Sequence, residues 1–248
     1  MSAGHRPWDG LYGPDELAVR EAGGYGTRAG IGGRPAVLVI DIVRNFTGYP
    51  GEDHIASIRG FRSSCGPYAW AAIPHVATLI ATGRERGFPV IFTRATRLPE
   101  ELRLAQRRKN KRAAKESAES IEVGSEFPDE IAPLAGEIII EKTKPSPFFG
   151  TPLLSHLQML GVDHLLIAGC TTSGCVRAAV YDGFSYNFGQ TLVEECVFDR
   201  FPTSHKVNMH DMDAKFADVV PIAEVLRELD ERFPLPRTSA ALSGAERP

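Results

Sequence analysis

Apolar residues in this chain gather in short unbroken runs, at 36–40, 89–93, 137–140, 164–168, 190–193 and, briefly, 219–221. A strand with one wet face alternates apolar and polar residues, so continuous runs predict strands covered on both faces. The segments between them carry helical spacing. In 69–86, Ala72, Ile73, Val76, Leu79 and Ile80 fall on one helix face, and 151–160, 175–186 and 203–216 suit further helices. Gly87-Phe88-Pro89 marks the return from helix to strand. Strand–helix alternation predicts a three-layer α/β/α domain around a parallel, Rossmann-like sheet, with residues 34–237 as its body. Residues 1–33 read as an N-terminal arm and 238–248 as a C-terminal tail.

Composition narrows the function classes. The chain has 248 residues, 43% hydrophobic and 24% charged, enough for one domain with a substantial core. A formal net charge of -3 gives no general attraction to polyanions, so nucleic acid is not an expected partner. No run approaches the roughly 18 apolar residues of a membrane span, and none near the start resembles a signal peptide. No membrane partner and a cytoplasmic location are therefore expected. The cysteines, at 65, 170, 175 and 196, lack CxxC spacing and the density of a disulfide scaffold. Reduced thiols follow, with Cys170 and Cys196 assigned to the core. One dense basic stretch, 100–115, reads as a solvated helix face or a contact for an anionic ligand or neighbouring subunit. The glycines at 23–33 precede the first strand, whereas phosphate-binding loops follow one, so nucleotide binding is not inferred.

In a parallel sheet, ligands bind beyond the carboxyl ends of the strands. Three polar residues stand there. Asp41 ends the first run, Lys142 the third, and Cys175 follows the fourth across the turn Thr171-Thr172-Ser173-Gly174. If the first strand is central, strands one and four are neighbours and the three side chains can converge. A thiol at a helix N-terminus is expected to lose its proton more readily, and the free N–H groups there suit an oxyanion. The carboxylate can take the thiol proton and pass it to a leaving amine, while the ammonium favours both anions. The same positions also suit a loop anchor at Asp41 and a solvated lysine at 142.

The stretches Ala36-Val-Leu-Val-Ile-Asp41-Ile-Val-Arg-Asn-Phe46, Lys142-Thr-Lys-Pro-Ser146-Pro-Phe-Phe-Gly-Thr151 and Gly169-Cys-Thr-Thr-Ser-Gly-Cys175-Val-Arg resemble the isochorismatase-like cysteine hydrolases, within them the N-carbamoylsarcosine and maleamate amidohydrolase branch. The resemblance implies a six-stranded parallel sheet and a triad of Asp41, Lys142 and Cys175. It selects Lys142 over Lys144 because the family's lysine lies four residues before the serine of the second stretch. It further implies a cis peptide at Cys170-Thr171, an oxyanion hole from the N–H groups of Thr171 and Cys175, and substrate contact by Thr171. Arg200 would bind a substrate carboxylate, the competing reading being an ion pair with Asp199. Phe46 and Phe148, with Trp70 and Phe149, become pocket candidates, though all four also suit a core.

The activity implied is hydrolysis of a C–N bond in a small carbamoyl, ureido or amide compound, through a thioester and with release of ammonia. Maleamate, biuret and nicotinamide are the alternative substrates. Vinyl-ether hydrolysis of the isochorismatase type needs no cysteine nucleophile, so Cys175 argues against it, and the complete triad argues against a non-catalytic module. Pro147, and Ile42-Val43-Arg44 after the aspartate, depart from the family's usual residues and affect the expected pocket shape. Asp53 and His54 lack the further histidine of the nicotinamidase metal site, so no metal and no cofactor are expected. The partner is a small-molecule substrate, and the resemblance implies a homo-oligomer, a dimer or tetramer.

Overall fold

A computed structural model describes residues 6–96, 98–99, 102 and 117–235. The basic stretch at 100–115, Leu102 apart, and the tail at 238–248 lie outside the described residues. Six strands, β1 (Pro35–Ile40), β2 (Val90–Ala95), β3 (Ile138–Lys142), β4 (His164–Cys170), β5 (Gly189–Phe198) and β6 (Asp218–Val220), form one sheet in the order β3-β2-β1-β4-β5-β6. Every pairing is parallel. Strand order reverses between β1 and β4, which opens a crevice where both strands end.

Each of the six apolar runs is a strand. All of β1 and all of β4 are buried, as residues sandwiched between two helical layers must be. One face packs against α4 (Pro67–Glu85), whose Ala72, Ile73, Val76, Leu79 and Ile80 are all buried as their spacing predicts. Burying one of the larger of these side chains contributes roughly 1.5–3 kcal/mol. The other face packs against α6 (Leu153–Met159), α7 (Arg177–Ser185) and α8 (Pro202–Lys215). The helices α1 (Pro14–Ala22), α2 (Arg44–Thr47), α3 (His54–Gly60) and α5 (Ala118–Glu122) lie outside this frame, and α9 (Ile222–Arg232) closes the first face through Val225 and Leu229.

β5 runs well past the predicted 190–193. Its register against β4 jumps between Ile167↔Leu192 and Gly169↔Val197, so residues 193–196 bulge. Two acidic residues, Glu194 and Glu195, interrupt the apolar pattern at that point. Beside the bulge, Gly169 lies with φ 134°, and a Cβ there would run into the Ile40 backbone. Only glycine lets β4 come this close to β1.

The segment before β1 folds back on its own domain. Arg6 and Arg20 both pair with Asp213, and Arg28 pairs with Glu224 and Glu228. The backbone N–H groups of Ala29 and Gly30 donate to Asp218, at the start of β6. Among the described residues no helix is long and apolar enough to cross a membrane.

Candidate active site

Three strand ends converge in the crevice. Asp41 is the residue after β1, 2% exposed and held at φ 54°. Lys142 closes β3 and is 5% exposed. Its ammonium donates to Asp41 Oδ2 at 2.6 Å, to the Lys144 carbonyl at 3.2 Å and to Cys175 Sγ at 3.5 Å. Lys144 thus contributes its backbone oxygen to the cluster. Thr93, from β2, donates its hydroxyl to Asp41 Oδ1 at 2.6 Å, and the Asp41 N–H donates back to Thr93 Oγ1 at 3.2 Å. The fully buried Thr93 therefore fixes the carboxylate on the side away from the lysine. It stood in the second apolar run, opposite Ile40 in the register, and nothing in its own residue type set it apart.

Cys175 does not open a regular helix. It lies in one π-helical turn, Thr172–Val176, before α7 begins at Arg177. The Cys170-Thr171 peptide that enters the turn is cis, as the resemblance implied. The Thr171 carbonyl accepts from the N–H groups of Gly174 and Val176, which curls the turn around it. Ser173 donates both its N–H and its hydroxyl to Asp199 Oδ2, at 2.9 and 2.6 Å. Thr172 Oγ1 shares a 2.8 Å hydrogen bond with His205 Nδ1.

The expected acidity of the thiol is corrected here. Burial, followed by the Asp41 charge, pushes Cys175 up to about 12, and the opposing pull of Lys142 does not offset them. Desolvation outweighs the dipole of one short turn. Lys142 moves up as well: burial pulls it down, but Asp41 and Cys175 together outweigh that and keep it an ammonium. The resting cluster is a buried carboxylate–ammonium pair beside a protonated thiol. A proton can pass from sulfur to carboxylate within it, and the cation beside the sulfur then faces the thiolate.

The other candidates are more scattered. The Arg200 guanidinium donates to the Ser63 carbonyl at 2.6 Å and stands 3.9 Å from Asp199, so the competing ion-pair reading describes part of its surroundings. Its Nε is buried without a hydrogen-bond partner among the described residues. Phe148 is a core residue, packed by the rings of Tyr186 and Phe188, so its side chain is used in packing; its neighbour Phe149 is the exposed ring. Phe46 is partly buried against the α4 face, and Trp70 donates its ring N–H to the Thr47 carbonyl. Cys170 and Cys196 are buried, as assigned. Asp53 caps α3 by accepting from the N–H groups of Ile55 and Ala56, and the His54 ring packs on Tyr68. A cavity of about 440 Å³ between α4, the β5 bulge and the start of α8 is lined by Tyr68, His75, Glu194, Glu195, Asp199 and His205, among others, and by none of the triad.

Comparison with known proteins gives the family. Residues 35–224 match the Isochorismatase domain. The chain belongs to the isochorismatase family. A maleamate amidohydrolase from Pseudomonas putida is 34% identical over 209 residues, covering 84% of this chain and 92% of its own. An N-carbamoylsarcosine amidase from an Arthrobacter species is 32% identical over 210 residues, covering 84% of this chain and 75% of its own. The crystal structure of an N-carbamoylsarcosine amidase from Thermoplasma acidophilum superposes with a TM-score of 0.58 at 26% identity, covering 77% of this chain and 97% of that one. The matched region of this isochorismatase-family chain runs from the start of β1 into α9, so it contains all three converging side chains.

Proposed function

We propose that this isochorismatase-family protein is a cysteine-dependent amidohydrolase of small ureido or amide compounds that carry a carboxylate, such as an N-carbamoyl amino acid or maleamate. The observation that carries the reading is the contact of one buried ammonium, Lys142, with both Asp41 and the Cys175 thiol. Asp41 takes the thiol proton as sulfur attacks the carbonyl carbon. The N–H groups of Thr171 and Cys175 hold the resulting oxyanion, with Thr171 in contact with substrate. As the C–N bond breaks, Asp41 returns that proton to the leaving nitrogen and ammonia departs. Water then attacks the thioester with Asp41 again accepting a proton, and the acid and the free thiol are released. Because the resting thiol is protonated, one transfer to Asp41 creates both the thiolate nucleophile and the acid that later protonates the leaving nitrogen, and a permanent thiolate is not required.

The amidohydrolase and amidase names of the two sequence relatives support the reaction class. Arg200 supports the preference for an acidic substrate, because its buried Nε has a donor to spare and a guanidinium suits a carboxylate. The test is ammonia release from N-carbamoyl amino acids, maleamate, biuret and nicotinamide, with Cys175→Ala and Arg200→Ala alongside the parent. Cys175→Ala is expected to be folded and inert, and turnover at the parental rate would refute the mechanism. Arg200→Ala is expected to lose activity on the acidic compounds only; equal losses on neutral ones would remove the carboxylate preference.

A further inference from the structure

Asp199, the residue after β5, has a side chain with no exposed surface, and the guanidinium nearest to it among the described residues, that of Arg200, stands 3.9 Å away. Such a carboxylate persists only if hydrogen bonds replace its hydration. Two of the three it receives come from one residue of the nucleophile turn, Ser173, and the third from the Arg200 N–H. Ser173 lies between Thr171 and Cys175. The turn is therefore held internally by the Thr171 carbonyl and externally by Asp199, with His205 holding Thr172 next to it.

We infer that Asp199 is a positioning residue for the oxyanion hole: acting through Ser173, it sets the direction of the N–H groups on either side. This rests on the proposed function, which gives those groups that task. Hydrogen bonds to a buried carboxylate are stronger than those between neutral groups, so the clamp resists the pull of a developing oxyanion on the turn. Asp199 does not touch the triad. Its removal should misalign transition-state binding while leaving the sulfur's own neighbours in place.

The test uses Asp199→Asn, of equal volume, and Ser173→Ala, which removes one of the two Ser173 bonds and keeps the backbone one. Each is assayed in the full chain against N-carbamoylsarcosine or maleamate, whichever the parent hydrolyses faster, with folding followed by circular dichroism and Cys175 alkylation by iodoacetamide at pH 8. For Asp199→Asn, kcat should fall about 10- to 100-fold while KM changes less than about threefold. For Ser173→Ala the fall should be smaller, about three- to tenfold. Alkylation of Cys175 should match the parent in both, because Asp41 and Lys142 are untouched. A role in packing alone would lower the melting temperature and leave kcat per folded molecule unchanged, and that result overturns the inference. So does a loss confined to KM, which would mean that Asp199 acts through Arg200 on the substrate. If Asp199→Asn fails to fold, Ser173→Ala decides: parental kcat in that folded variant overturns the inference. Residual turnover in Cys175→Ala would instead sink the proposed function itself, a separate outcome.

Discussion

Replacing Asp41 by Asn should kill turnover and yet make Cys175 easier to alkylate. Asn suits the substitution because it keeps the shape of the side chain and, like Asp, tolerates the left-handed backbone that φ 54° imposes. In the parent, burial pushes Cys175 up to about 12, together with the negative charge on Asp41, which more than cancels the pull of Lys142 on the sulfur. Removing that charge leaves an ammonium 3.5 Å from the sulfur. At an effective dielectric of 20, a pair at this separation is worth about 4.7 kcal/mol. Spent wholly on the thiolate, that is roughly two to three thousandfold more anion at pH 8. The assay is the second-order rate of Cys175 alkylation by iodoacetamide between pH 7 and 9, with Cys175→Ala as the blank for the other three thiols. The buried lysine loses its partner, at a cost of about 3–5 kcal/mol, so folding is checked by circular dichroism first. A folded Asp41→Asn protein that alkylates no faster than the parent would refute the account, because Lys142 would not then present a charge to the sulfur.

Other perturbations read different parts of the structure. Thr93→Val keeps the volume but removes the hydroxyl that holds Asp41 Oδ1; stability should drop by about 1.5–3 kcal/mol in urea denaturation, with a parallel fall in kcat, and an unchanged kcat would show that the carboxylate needs no such anchor. Glu194 is raised to about 7 from 4.5, by burial and then by the Glu195 charge, so the folded state binds a proton more tightly than the unfolded chain and the parent loses stability as pH rises through that window. Glu194→Gln removes the penalty, which is at most about 3 kcal/mol before screening by solvent. It should melt with the parent at pH 4.5 and several degrees above it at pH 8, and a pH-independent difference would contradict the assignment. Gly169→Ala should lose more than about 4 kcal/mol, seen as insolubility or an early urea midpoint, because the backbone conformation and the Ile40 carbonyl both oppose a Cβ.

The apolar runs made the sheet legible because burial on both faces leaves an unbroken signature, and the strand ends then pointed to Asp41, Lys142 and Cys175. The second half of β5 was hidden: Glu194 and Glu195 look like loop residues until the bulge that accommodates them is seen. The helix α9 went unread although Ile222, Val225 and Leu229 are spaced for it, since the strand before it has only three residues. Within the site, residue type identified the groups that bear charge or a nucleophile. It did not identify Thr93 or Asp199, whose importance lies in what they hold and thus in distances a sequence does not carry. The thiol's acidity was misjudged for the same reason: a turn before a helix suggested a favourable dipole, while the degree of burial, which decides the sign, depends on residues far apart in the chain.

Lys142 terminates β3, one of the two edge strands of the sheet, paired only with β2 among the described residues, where Ala95↔Lys142 is the last rung. The ammonium that joins carboxylate to thiol is thus supplied from the margin of the domain, while both of its partners belong to the interior. Fraying of that margin by a single rung would uncouple acid from nucleophile with the rest of the molecule still intact, so the working lifetime of the site is set by the hold of its weakest-moored strand.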